Sequence, residues 1–254
     1  MPAGAGGAAA VRAIELRANE VTLRDGGTVV EARGRVRVAW GASRMSADRA
    51  VYTVPLRRLS LAGSVTITSA QGDLTAARAT AVLAPGGGID SMEAAGRVVL
   101  KSGQRVVRAE HLTYAVRAGA VTADGGVELT APPGITARGQ SLLMKRGEAA
   151  TLRGRARVQT KDGSLEADQI DVSETAQVAY ARGNVTGDFE ETRITSSAAT
   201  FYHRERRAVF REGVRVTRPG RTIQADVVTI YLQDRRVVAE GETTIRLEEE
   251  PGRP

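Results

Sequence analysis

A short pattern that recurs every 29 residues runs through most of this sequence. Residues 32–38 (ARGRVRV) show its form, in which small or apolar residues alternate with charged ones around a central glycine. The central position, called the anchor below, falls at residues 34, 63, 96, 125, 154, 183, 212 and 241, and a single interval of 33 interrupts the spacing of 29. Residue 212 is Glu, with Gly213 after it, and the long interval contains residues 85–88 (PGGG), which we expect to form a loop. A fixed period of this length predicts a stacked repeat protein, because a single unit cannot bury its own apolar face.

A second motif follows the anchors and alternates in the same way. After the anchor at 34 it occupies residues 45–48 (MSAD), and after the anchor at 154 it occupies residues 165–168 (LEAD). Alternation of apolar and polar residues is typical of a β-strand with one buried face. The alternation then slips by one residue, since Ala47 is followed on the apolar side by Ala50. We therefore predict two antiparallel strands per repeat, about fifteen in all, with a bulge or corner in each second strand at which it folds over.

Few residues are available for catalysis or metal binding. The sequence has no cysteine, and its two histidines, His111 and His203, lie in no catalytic or metal-binding motif. Acidic residues at the corner of the second strand occupy repeats about 10 Å apart or more, so they cannot converge on one ion. They are Asp48, Glu110, Asp168 and Asp226. We expect their carboxylates to accept hydrogen bonds from backbone N–H groups that the bulge leaves free, and we predict no enzyme, no metal site and no cofactor.

Arginine dominates the charge of the chain. The formal net charge is +7, and only three of the 36 basic residues are lysines. The densest basic cluster contains Arg204, Arg206, Arg207 and Arg211. Guanidinium groups suit phosphates and carboxylates, so this cluster is either a rim that contacts phosphates or a solvated face. No nucleic-acid-binding module or aromatic platform accompanies the arginines, and nucleic acid is therefore not an expected partner.

The two motifs together resemble the OstA-like, or LptA-type, domain of bacterial lipopolysaccharide transport. Residues 181–185 (ARGNV) are similar to the G-N-V signature of that family, and residues 165–168 (LEAD) are similar to its L-x-A-D signature. The resemblance implies an all-β fold, an elongated antiparallel jelly roll that is folded over on itself (a β-taco) and is built from the two-strand repeats. It also implies a periplasmic protein that binds lipopolysaccharide, shields the acyl chains in an apolar groove and bridges the periplasm. Its implied partners are inner- and outer-membrane transport components of related fold.

The repeat predicts a single domain over residues 13–247, with residues 1–12 and 248–254 disordered. Residues 1–10 (MPAGAGGAAA) lack the charged and leucine-rich segments of a signal peptide. No stretch of the sequence approaches the roughly 18 apolar residues of a membrane span. The first and last strands of such a stack have unpaired backbone groups, so we expect head-to-tail association of copies by strand addition.

Inward-facing apolar residues are predicted to line a lipid path between the two walls of the folded sheet. The predicted groove consists of Val36, Val38, Val65, Ile67, Leu74, Val98, Leu100, Val127, Leu129, Val158, Ile194, Phe201, Val214 and Ile230. Small inward residues such as Gly34, Gly63 and Ala76 would leave room for hydrocarbon, which gains about 0.8 kcal/mol per buried CH₂. The residues by themselves leave an alternative open, in which the walls pack tightly and the chain is a structural β-solenoid filament or scaffold with a closed, dry core.

Overall fold

Residues 13–70, 72–85, 88–145, 150–173 and 175–247 are described by the structure, which is a computed structural model. Apart from one 3-10 turn at Asp25–Gly27, the regular structure in these segments is entirely β-strand, as predicted. None of the described segments forms a helix long and apolar enough to cross a membrane. The disorder predicted for residues 1–12 and 248–254 lies outside the described residues. The described chain falls into two compact units, one ending at Ser102 and the other beginning at Gly103.

The first unit is an antiparallel meander in which each long strand pairs with the next. Two short strands, β1 and β2, pair with the two halves of β3. The strands are β1 (Glu15–Arg17), β2 (Glu20–Arg24), β3 (Val29–Trp40), β4 (Ser43–Thr53), β5 (Arg58–Ser69), β6 (Gly72–Leu83) and β7 (Ile89–Ser102). The predicted loop at residues 85–88 falls between β6 and β7, and residues 86 and 87 are outside the described segments.

The second unit continues the same antiparallel pattern. Its strands are β8 (Arg105–Ala115), β9 (Ala120–Ala131), β10 (Ile135–Lys145), β11 (Ala150–Thr160), β12 (Gly163–Ser173), β13 (Val178–Phe189), β14 (Thr192–Tyr202), β15 (Arg207–Arg218), β16 (Arg221–Tyr231), β17 (Arg236–Glu240) and β18 (Thr244–Leu247). The last two pair with the two halves of β16. The described residues thus form 18 strands instead of about fifteen, because β1/β2 and β17/β18 are outer strands that break where the inner strands bend.

Every inner strand bends near its middle, at the anchor in the odd-numbered strands and opposite it in the even-numbered ones. In β3 the anchor Gly34 and the following Arg35 both have left-handed φ values, +73° and +49°. These two residues lie opposite Asp48 alone, because the register passes from Arg33↔Arg49 to Val36↔Ala47. The same register shift recurs at the other inner pairs, and the predicted slip in the second strands is present, with Ala47 and Ala50 buried on either side of two exposed residues. The bend is therefore a bulge in which two residues of one strand face one residue of its partner.

The bend divides each unit into two walls, which we call wall A and wall B. Among the inner strands, β3 to β16, wall A contains the halves of the odd-numbered strands that follow the anchor, together with the first halves of the even-numbered strands. The outer strands β1 and β18 pair with these halves. Wall B contains the remaining halves. In β3, for example, Val36 and Val38 belong to wall A and Ala32 belongs to wall B, and all three are buried. Because the apolar side stays inward on both sides of each bend, the sheet is folded over, as the predicted jelly roll requires.

Candidate functional site

The fourteen residues of the predicted groove all lie on the inward side of their strands, but most of them are fully buried. Ten are between 0% and 4% exposed: Val36, Val38, Val65, Ile67, Leu74, Val98, Val127, Ile194, Val214 and Ile230. The other four, Leu100, Leu129, Val158 and Phe201, are half-buried. The interior of each unit is thus apolar and, in this conformation, closed to water over much of its length.

Direct contact between the walls closes the interior of the second unit near β13 and β15. Phe210, on wall B, is fully buried. A Cβ atom added to Gly187, on wall A, would lie 2.8 Å from Cζ of the Phe210 ring. Phe189, two residues further along wall A, meets the same ring edge to face, with 6.2 Å between the ring centroids. Phe210 therefore spans the interior, and the absence of a side chain at Gly187 makes room for it.

The interior is more accessible at the hairpin turns between β8 and β12. Eight inward apolar residues near these turns are half-buried, and we call them the half-open mouth. They are Leu129, Ile135, Val158 and Leu165 on wall A and Tyr114, Val121, Met144 and Val172 on wall B. At the same depth in the later strands Ile194, Ala208, Val216 and Ile230 are buried, whereas Ala179, Phe201 and Ile223 are half-buried. Exposed apolar surface is one of the features that mark binding grooves.

One repeat position lies at the outer end of wall A, six residues after the anchor. In the first unit it holds Trp40, Ser69 and Ser102, and in the second it holds Ala131, Thr160, Phe189, Arg218 and Leu247. The two aromatic residues, Trp40 and Phe189, are 8% and 9% exposed and cover the interior beside them. The small residues Ala131 and Thr160 coincide with the half-open mouth.

Two ion pairs join hairpin turns of opposite walls in the second unit. Arg206, in the turn between β14 and β15, places Nη2 3.0 Å from Oδ1 of Asp162, in the turn between β11 and β12. One repeat further along, Nη2 of Arg235 lies 3.0 Å from Oε1 of Glu190. We call these two pairs the clasps. They hold together the free ends of walls A and B on the outer side of Phe210.

The predicted arginine rim is only partly a free cationic surface. Arg204 and Arg211 are exposed, whereas Arg206 belongs to a clasp. Arg207 is ion-paired with Glu205 in its own turn and stacks over the ring of Tyr202 at 4.2 Å. The hydrogen bond to Glu205 raises the pKa of the Arg207 guanidinium above its ordinary value.

The acidic corner residues lie beside the anchors, where they were expected. Oδ2 of Asp226 accepts a hydrogen bond from the backbone N–H of Glu242 at 3.0 Å. Oδ2 of Asp168 accepts one from the side-chain amide of Asn184 at 2.8 Å. In the described part of the chain no three His, Asp or Glu side chains come together as metal ligands would.

The anchor glycines have a different role from the one predicted. They do not widen the interior, because they lie at the bend, where the left-handed backbone favours glycine and a neighbouring side chain occupies the space of a Cβ atom. Glu212 is the exception, an anchor with a Cβ atom at φ +68°. A Cβ atom on Gly63 would lie 2.3 Å from Oδ2 of Asp48, and one on Gly183 would lie 2.4 Å from Oδ2 of Asp168.

The groove predicted from the sequence contains many inward residues of wall A and few of wall B. Only Phe201 and Ile230 of the predicted groove belong to wall B. That wall also buries Leu59, Leu61, Leu83, Leu112, Leu142, Leu152, Ile170, Phe210 and Val228. Apolar residues two and four positions before each anchor, such as Leu59 and Leu61, were the signal that would have identified them.

A shallow depression of about 350 Å³ lies in the first unit. It lies on the outer face of wall A, where Arg17, Arg37, Arg44, Thr66 and Thr68 contribute to its lining. Arg17 is ion-paired with Glu15, and Arg44 donates to the backbone carbonyls of Gly41 and Ser43. The lining also includes Val38 and Met45, whose side chains are buried, so the depression combines charged and apolar residues.

The outer strands expose apolar side chains that would be buried in an inner strand. All residues of β2 and of β18 are exposed. Val21 and Leu23 are 45% and 66% exposed, and Ile245 and Leu247 are 58% and 73% exposed. Val21 pairs with buried Ala32, and Ile245 pairs with Ile223, so these side chains continue the inward face at each end of the strand order.

The chain has a distant likeness among solved structures. It is similar to the crystal structure of LptH, the LptA-homologous periplasmic component of the conserved lipopolysaccharide transport device from Pseudomonas aeruginosa. The two are 13% identical, with a TM-score of 0.42, over 45% of this chain and 95% of that chain. No protein-family model and no curated protein matches the chain.

Proposed function

We propose that this protein is a non-catalytic periplasmic carrier that holds the acyl chains of lipopolysaccharide between its two walls. The observation that carries the proposal is the apolar face that lies inward on both walls of each unit. Burial of hydrocarbon gains about 0.8 kcal/mol per CH₂, so a chain of twelve carbons gains about 10 kcal/mol. The free-energy cost of separating the two walls opposes this gain. The resemblance of the two repeated motifs to the OstA-like domain supports lipopolysaccharide as the ligand.

In this proposal the acyl chain enters at the half-open mouth. The eight half-buried residues there already expose apolar surface, so less packing must be broken than at Phe210. The exposed Arg204 and Arg211 lie outside the interior, where guanidinium groups would meet phosphates of the head group. The clasp residue Arg206 becomes available to a phosphate when Asp162 is displaced.

The outer strands support the proposed partners. Exposed, apolar strands such as β2 and β18 are templates for strand addition. We propose that copies of this chain stack head to tail through them, and that inner- and outer-membrane components of related fold use the same strands. Such contacts would continue the apolar interior from one molecule to the next.

A structural scaffold with a dry core is the second candidate. The contact between Phe210 and Gly187 favours it, as does the near-complete burial of ten of the fourteen predicted groove residues. Both functions use the same fold. They differ in whether the walls part to admit hydrocarbon.

Site-specific photo-crosslinking separates the two candidates. A photoreactive amino acid at Val98 or Phe201 faces the interior, and the same residue at Arg37 faces outward as the matched control. We expect irradiation with purified lipopolysaccharide to give adducts at Val98 and Phe201 and none at Arg37. Adducts at Arg37 alone, or no adducts at the interior positions with ligand in excess, would contradict the carrier and leave the scaffold.

A further inference from the structure

Trp40 carries a buried hydrogen-bond donor that nothing in the described part of the chain satisfies. The residue ends β3 on the inward side of wall A and is 8% exposed. Its indole Nε1 has no hydrogen-bond partner among the described residues. Buried polar groups are almost always paired, and an unpaired one requires an explanation such as a role in binding.

The depth of Trp40 indicates what could pair with it. Along wall A, Val36 lies next to the bend, Val38 lies further out, and Trp40 lies at the hairpin turn. An amphiphile that enters tail first would place hydrocarbon beside the two valines and its head group outside the turn. The linkage between chain and head group would then lie at Trp40, and indole rings favour such boundaries because one end is apolar and the other polar.

A second buried polar residue lies at the same depth. Ser43 begins β4 and pairs directly with Trp40 across the hairpin turn. It is only 5% exposed. The apolar inner face of wall A thus ends in a pair of buried polar side chains in this hairpin.

We propose that the Trp40 indole N–H donates a hydrogen bond to the carbonyl oxygen of the ester or amide that joins an acyl chain to its head group. The indole N–H is a donor only, and a carbonyl oxygen is its complement. The first unit therefore selects acyl chains over alkyl chains of the same length. Phe189 occupies the same repeat position in the second unit and has no donor, so this selectivity belongs to the first unit alone. The inference rests on the proposed function.

Two matched ligands test the hydrogen bond directly. They are lysophospholipids with the same head group and chain length, one ester-linked and one ether-linked, used below their critical micelle concentrations. We expect calorimetry to resolve a site, in the first unit, that binds the ester about tenfold more tightly than the ether, the ratio that one hydrogen bond to a previously unpaired donor supplies. Binding in the second unit should be equal for the two ligands. Trp40 is the only tryptophan, so its fluorescence reports the same event, with a change on binding the ester that the ether does not produce.

Two variants test whether the Trp40 indole N–H is the donor. Trp40→Phe removes the donor and keeps an aromatic ring, and we expect it to bind ester and ether equally, with the affinity that the wild type has for the ether. Tyr180→Phe is the control, because it removes a hydrogen-bond donor from an aromatic ring that is 44% exposed, and it should keep the tenfold ratio. Equal binding of the two ligands by the wild type would overturn this inference and leave the carrier intact. If neither ligand binds, the carrier itself is contradicted, and this inference with it.

Discussion

At the scale of single residues, the anchor glycine is required by backbone conformation and by a close neighbour. Gly63 has φ +78°, a region that residues with a Cβ enter only at a cost of about 1–2 kcal/mol. Asp48 also occupies the space that a Cβ would fill. The sequence revealed the glycine ladder, but its periodicity alone could not show whether glycine was needed for space inside the fold or for the bend.

Replacement of an anchor glycine tests this role. Gly63→Ala adds a Cβ 2.3 Å from Oδ2 of Asp48 at a left-handed position, and we expect a loss of about 3 kcal/mol in the free energy of unfolding. Gly103 is the matched control, because it is also left-handed, with φ +59°, but no atom lies within 4 Å of its added Cβ. Gly103→Ala should cost about 1 kcal/mol. Urea denaturation measures both, and equal losses would show that the contact with Asp48 does not matter.

At the scale of elements, the long strands of the second unit make two walls, and their hairpin turns decide how firmly the walls stay together. The clasps join turns that are one and a half repeats apart in sequence, 44 residues in the case of Arg206 and Asp162. In the sequence, the arginine and the acidic residue of each clasp are far apart, and nothing indicates that they pair. The arginine rim was therefore predicted as a cluster along the chain, whereas the relevant partners lie on the other wall.

Removal of the acidic partners should make opening of the walls easier. In the variant Asp162→Asn with Glu190→Gln both clasps lose their charge attraction, each worth up to about 1 kcal/mol at an exposed site. We expect a fluorescent fatty acid to enter up to about thirtyfold faster in stopped-flow measurements, because the two pairs together amount to at most about 2 kcal/mol and each 1.4 kcal/mol is a tenfold change in the open population.

The control for the clasps is Glu205→Gln, which removes the acidic partner of Arg207 within one turn and joins no walls. It should leave the entry rate unchanged. Added salt should speed entry into the wild type, because it screens exposed ion pairs, and should have little effect on the variant without clasps. An equal acceleration by Glu205→Gln would contradict a role for the clasps in opening.

At the scale of the whole molecule, the outer strands are where we expect the protein to associate with other copies. Inner strands pair on both sides and bury their inward residues, whereas β2 and β18 leave Leu23 and Ile245 largely exposed. Charged side chains on such strands are a known means of preventing edge-to-edge pairing. The positions of Leu23 and Ile245 hold apolar side chains and no charge.

Charged substitutions on the outer strands should reduce self-association. We expect sedimentation velocity to show oligomers of the wild-type protein that grow with concentration. Leu23→Lys or Ile245→Lys should shift the protein to monomer, because the lysine cannot be buried in a stacked interior. Val51→Lys is the matched control, since Val51 is 38% exposed on an inner strand. A wild-type protein that is monomeric at all concentrations would contradict head-to-tail stacking.

The sequence by itself determined the fold class, the number of strands per repeat, the inward residues of wall A and the slip in the second strands. It could do so because apolar alternation and turn residues act locally and recur in every repeat. Only the tertiary structure decided that the anchors are the bends, that Phe210 reaches Gly187 and that Arg206 pairs with Asp162. The last two are contacts between residues of different repeats on opposite walls. A periodic pattern contains no information about which side chains of opposite walls meet.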